Sequence, residues 1–144
     1  QITEAGRVHG LSGVDLTSGS ALLGDVAMVS YTGPTVFGYA GSSLASGGDV
    51  DGDGLDDILI GGPGDSSEGS DAGAAWLVLS GWSGARALAD SDASFWGGSS
   101  DDRVGDSVAL GDMNGDGLSD LIIGAPGEDV FSNEGAIYIG YSGY

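Results

Sequence analysis

The sequence predicts an all-β chain built from repeated small antiparallel sheets, and three observations point there. Thirty of the 144 residues are glycine, which suits tight turns and penalises helix interiors. The apolar stretches are short and bounded by Gly, Ser and Asp, as strands between turns are. Most telling is an internal repeat: "AGSSLASGGDVDGDGLDDILIGGPG" (Ala40–Gly64) returns as "VGDSVALGDMNGDGLSDLIIGAPG" (Val104–Gly127), with one glycine fewer. "DAGAAWLVLSG" (Asp71–Gly81) likewise returns as "NEGAIYIGYSG" (Asn133–Gly143), and "EAGRVHGLSG" (Glu4–Gly13) is an earlier copy of that piece. Such self-similarity marks units that cannot bury their own faces alone.

Each unit reads as strands A to D. Strand A is Ser42–Ser46 or Asp106–Leu110, B is Asp57–Gly61 or Asp120–Gly124, and C is Ala74–Leu79 or Ala136–Tyr141. Strand D is Asp25–Tyr31 in the preceding unit and Ala93–Trp96 in the first full one. The B strands "DILIG" and "DLIIG" are continuously apolar instead of alternating, which requires burial of both sheet faces. Stacked four-stranded blades of a β-propeller meet that requirement. Counted along the chain the order is C, D, then A-B-C-D, then A-B-C: an incomplete propeller of about two blades and part of a preceding one. The resulting division is 1–32 for the C and D strands of the preceding blade, 33–97 for the first full blade and 98–144 for the second. Closing a ring requires four to eight blades, so further blades or other copies of the chain are expected as partners.

Charge narrows the partners. Twenty-two acidic residues against three basic ones give a formal net charge of −19, which disfavours nucleic acid and anionic lipid and favours cations. No apolar run approaches the length of a membrane span, so membrane insertion is not expected. The absence of cysteine excludes disulfides and thiolate-bound zinc. No nucleophile elbow frames a serine and no phosphate-loop lysine follows a glycine-rich turn, so no enzymatic activity is expected. His9 and the tryptophans Trp76, Trp82 and Trp96 read as packing residues.

The chemistry lies between strands A and B. Asp49, Asp51, Asp53, Leu55 and Asp57 occupy positions 1, 3, 5, 7 and 9 of one loop, and Asp112, Asn114, Asp116, Leu118 and Asp120 occupy the same positions in the other. Side-chain oxygens at 1, 3, 5 and 9, a backbone carbonyl at 7 and a glycine at 6 are how a calcium loop gathers hard oxygen ligands. An EF-hand would place a bidentate Glu at position 12 and continue as a helix. Position 12 here is Ile60 or Ile123, inside an apolar strand. Oxygen-only donors disfavour zinc, copper and iron, and magnesium prefers more water and fewer protein ligands. Two Ca2+ sites are therefore expected, the first tighter because it carries four carboxylates where the second carries three.

These segments resemble the FG-GAP repeats of the integrin α-subunit β-propeller and its bacterial relatives. The resemblance rests on "AGSSLA" and "VGDSVA", on the two aspartate loops, on "GGPG" and "GAPG", and on "GAAWLVLSG" and "GAIYIGYSG". Ala40 and Val104 stand where the motif's phenylalanine is expected, a departure that bears on packing. The resemblance implies a seven-bladed propeller, calcium in the A–B loops, a secreted or cell-surface location, and a role in adhesion or protein interaction. Two alternatives carry different expectations: a noncatalytic appendage of a secreted hydrolase, or a self-assembling propeller fragment with no ligand of its own. A protein or glycan ligand is expected on the face opposite the calcium loops, at Asp65–Ala72 and Glu128–Glu134. These loops differ between copies, as recognition loops do, and Phe131 is the apolar candidate contact.

Overall fold

A computed structural model describes residues 5–11, 27–81, 83–128 and 134–143. Trp82, Phe131 and most of the 128–134 loop, named above, lie outside the described residues. Ten strands occur among the described residues: β1 (Arg7–Leu11), β2 (Ala27–Thr32), β3 (Ser43–Gly48), β4 (Asp57–Gly62), β5 (Ala74–Val78), β6 (Gly84–Ala87), β7 (Ala93–Trp96), β8 (Ser107–Gly111), β9 (Asp120–Ala125) and β10 (Ala136–Gly140). One 3-10 turn, Leu88–Asp90, is the only helical element among them. No helix of the described residues is long and apolar enough to cross a membrane.

The strands form three sheets, in the orders β1-β2-β6, β3-β4-β5-β7 and β10-β9-β8. The central one is a complete blade, antiparallel throughout, with the A-B-C-D order expected from the repeat. Its core explains the continuous apolar strands. Leu59, Ala75 and Leu77 point to one face and pack with Val104, Leu121 and Ile123 of the following unit. Ile60, Ala74, Trp76 and Val78 point to the other face and pack with Tyr31, Ala40 and Leu88. Successive strand residues thus enter different cores, as the period of two demands, and no position on β5 is free to be polar.

The third sheet shows the same positions without an outer neighbour. Ile137 and Ile139 take the places of Ala75 and Leu77, yet they are 73% and 44% exposed. Their apolar character is thus explained by the repeat pattern and not by burial within this chain.

Adjacent sheets are tied by backbone as well as by side chains. Gly73 bridges Val104 in parallel, and Gly6 bridges Ala40 in the same way. A Cβ on Gly73 would lie 2.3 Å from the Val104 nitrogen, and φ there is +78°; only glycine meets both conditions without strain. Ala40 and Val104, standing where the motif has phenylalanine, are 5% and 4% exposed. The departure therefore falls on buried positions at the sheet-to-sheet ties.

One strand is not anticipated by the repeat. The reading above counts nine strands, and the tenth is β6, which pairs in parallel with β2 of the preceding sheet before the chain returns as β7. Its sequence "GARA" is exposed at all four positions. With no alternation of apolar and polar residues, it carries no periodic signal.

Candidate metal centres

Both aspartate loops are hairpin connections, β3 to β4 and β8 to β9. The position-1 carboxylate organises each. Asp49 accepts the N–H groups of Gly52 at 2.6 Å and Gly54 at 2.8 Å. Asp112 accepts those of Gly115 at 2.6 Å and Gly117 at 3.0 Å. Both pairs of glycines have positive φ, so the chain curls around the carboxylate and presents its amide donors inward.

The position-9 carboxylate is the buried floor. Asp57 and Asp120 are both 0% exposed. Asp57 accepts the Val50 N–H at 2.7 Å on one oxygen and the Ser80 N–H at 2.8 Å on the other. Asp120 repeats this with Met113 at 2.8 Å and Ser142 at 3.0 Å. Burial pushes the Asp120 carboxyl up, but donors from Ser142, Met113 and Asn114 outweigh it and hold the group below the ordinary carboxylate value of 3.8. A carboxylate offers about four lone-pair directions, so two hydrogen bonds leave Asp57 able to ligate a cation, while Asp120, which also accepts the Ser142 hydroxyl, is more fully occupied.

In the first loop, one oxygen each from Asp49, Asp51 and Asp57 falls within a mutual 4.8 Å. Asp53 is not one of these three: one of its oxygens accepts the Leu55 N–H at 2.8 Å and the other the Ser80 hydroxyl at 3.0 Å. Leu55 contributes no side-chain donor and is half-exposed at the rim, which suits a position read for its carbonyl. Among the described residues only the first loop brings three carboxylates into such convergence. In the second, Asn114 replaces the position-3 carboxylate, and its amide donates to Asp116 at 2.9 Å. Leu118 follows, its N–H held by Asp116 at 2.8 Å. The donors fit a hard cation: all are oxygens, several are anionic, and unit charges about 4 Å apart repel by roughly 4 kcal/mol at an effective dielectric near 20 until a counter-charge intervenes.

Two residues escaped the sequence reading. Ser80 and Ser142 follow the C strands and reach back to the position-9 carboxylates, Ser142 also through its hydroxyl at 3.3 Å. The signal was present in the repeated "LSG" and "YSG", but a Ser-Gly pair after a strand is equally an ordinary turn.

Comparison with known proteins identifies the repeats. The family profile described as FG-GAP repeat matches residues 40–78 and 104–139. Integrin alpha-PS2 of Drosophila melanogaster is 40% identical over 114 residues, covering 75% of this chain and 8% of that protein. Integrin alpha-3 of Mus musculus is 34% identical over 111 residues, covering 76% of this chain and 10% of that protein. The chain thus spans a tenth or less of the length of these relatives. Each matched stretch opens at a residue tied to the preceding sheet, Ala40 or Val104, and runs through its aspartate loop to the C strand. The chain belongs to the FG-GAP repeat family.

Proposed function

We propose that the chain is a calcium-binding segment of a β-propeller in a secreted or cell-surface protein, serving adhesion or protein interaction without catalysis. The observation that carries the calcium assignment is the convergence of Asp49, Asp51 and Asp57 above a buried carboxylate floor. Asp49, Asp51, Asp53, Asp57 and the Leu55 carbonyl would hold one ion, with Asp112, Asn114, Asp116, Asp120 and the Leu118 carbonyl holding the second. The role of the ion is structural: it neutralises carboxylates that otherwise repel and fixes each hairpin against its neighbours.

Membership of a family that includes integrin α chains supports the adhesive role and the extracellular setting. The same reasoning supports division of the chain into a preceding blade remnant (1–32) and two blades (33–97 and 98–144). Exposed Ile137 and Ile139 support a further blade or another copy as neighbour. The protein or glycan ligand is assigned to the face opposite the aspartate loops.

Calorimetric titration tests the metal assignment. Calcium is expected to fill two sites with dissociation constants around 10⁻⁴–10⁻³ M, typical of extracellular modules, and magnesium to bind more weakly. Asp51→Asn should weaken the first site and Asn114→Asp strengthen the second. Absence of calcium heat, or zinc binding in preference, contradicts the assignment.

A further inference from the structure

The two aspartate loops meet through main-chain atoms. The Ser119 N–H donates to the Asp49 carbonyl at 2.7 Å. Asp49 opens the first loop, and Ser119 is position 8 of the second, between Leu118 and Asp120. The peptide joining Leu118 to Ser119 is one rigid plane. Its carbonyl is the position-7 oxygen of the second loop, and its N–H grips the first residue of the other loop. The two ends cannot turn independently.

The neighbourhood is shaped for this approach. A Cβ on Gly48 would lie 2.4 Å from the Ser119 hydroxyl oxygen and 2.7 Å from its Cβ, whereas one on Gly111, the same position in the other copy, would meet nothing within 4 Å. The need for glycine at position 48 is therefore set by contact with the other loop and not by the hairpin itself. The Leu118 side chain also reaches the first loop, with its Cδ2 at 3.4 Å from where a Gly52 Cβ would stand.

We propose that the loops bind calcium cooperatively through the Leu118–Ser119 peptide, each ion raising the other's affinity. This rests on calcium being the ligand of both loops. An ion on the Leu118 carbonyl fixes the peptide plane and strengthens its N–H as a donor. The Asp49 backbone is then already ordered, so the first loop loses less conformational freedom when its own ion arrives. Linkage makes the effect reciprocal.

The test is a calorimetric cycle with calcium alone on the whole chain. Asp116→Ala disables the second site and reports the first by itself; Asp53→Ala does the converse. The overall two-ion binding constant of the parent protein, divided by the product of these two single-site constants, is the coupling factor. It is expected to be about fivefold or more. Repeating the cycle with Gly48→Ala, which forces the loops apart, or with Ser119→Pro, which deletes the N–H, should bring it to about one while each loop still binds. A factor of one in the parent background overturns the coupling and leaves the calcium assignment intact, and this outcome needs neither separating variant to fold. A factor unchanged by Gly48→Ala and Ser119→Pro overturns the proposed route. No calcium heat from the parent protein overturns both the coupling and the metal assignment.

Discussion

In saturating calcium, Asp57→Ala is expected to lower the unfolding free energy by roughly 5 kcal/mol. Two losses combine. The Val50 and Ser80 amides lose their shared acceptor, and an N–H buried without a partner costs about 1–3 kcal/mol. The first ion loses its floor, and a ligand present at 100 times its dissociation constant stabilises by about 2.7 kcal/mol. In chelator the cost should be smaller, because the stabilisation by the ion is absent and removing Asp57 also relieves its repulsion with Asp49 and Asp51. Chemical denaturation under both conditions reads the difference. Equal costs with and without calcium would mean that Asp57 is only a hydrogen-bond acceptor.

Trp76→Ala should cost about 3–5 kcal/mol, the range for deleting a fully buried large aromatic. Trp76 is 0% exposed and pairs with Ile60 in the central sheet. Tyr138 occupies the same register place in the third sheet, opposite Ile123, but is 46% exposed. Tyr138→Ala should therefore cost well under half as much in denaturation of the isolated chain, even though Tyr138 also donates to Glu128. A hydrogen bond at a half-exposed site offsets little of the missing burial. Similar costs at the two positions would show that the sheets do not differ in packing as described. Trp76→Phe is the milder control: it keeps an aromatic ring and removes an indole N–H that has no partner among the described residues.

What could be read from the sequence follows from where the information was duplicated. The aspartate loops and the B and C strands occur twice in register, so chance turns could be told from designed ones. The continuous apolar "DILIG" specified burial on both faces, and the division of Leu59 and Ile60 between separate cores is its consequence. Strand β6 was illegible because "GARA" forms by pairing with β2, a partner distant in sequence, with no side-chain pattern to declare it. The convergence of Asp49 and Asp57 was implied by spacing, but the bond between Asp53 and Ser80 was not. That bond comes from a hydroxyl 27 residues away, which only the packing of the C strand brings near. Nor does any local signal place Ser119 against Asp49, since that contact exists only once two hairpins are stacked.

The sheets are held together by cores that run between them, and on the proposed reading a cation holds together the carboxylates of each loop. The most direct test of that account is thermal unfolding of the whole chain in about 10 mM calcium and again in excess chelator. Two ions bound at 10 to 100 times their dissociation constants should raise the melting temperature by roughly 10 °C, with magnesium giving a smaller rise. A melting temperature unchanged between calcium and chelator would contradict it.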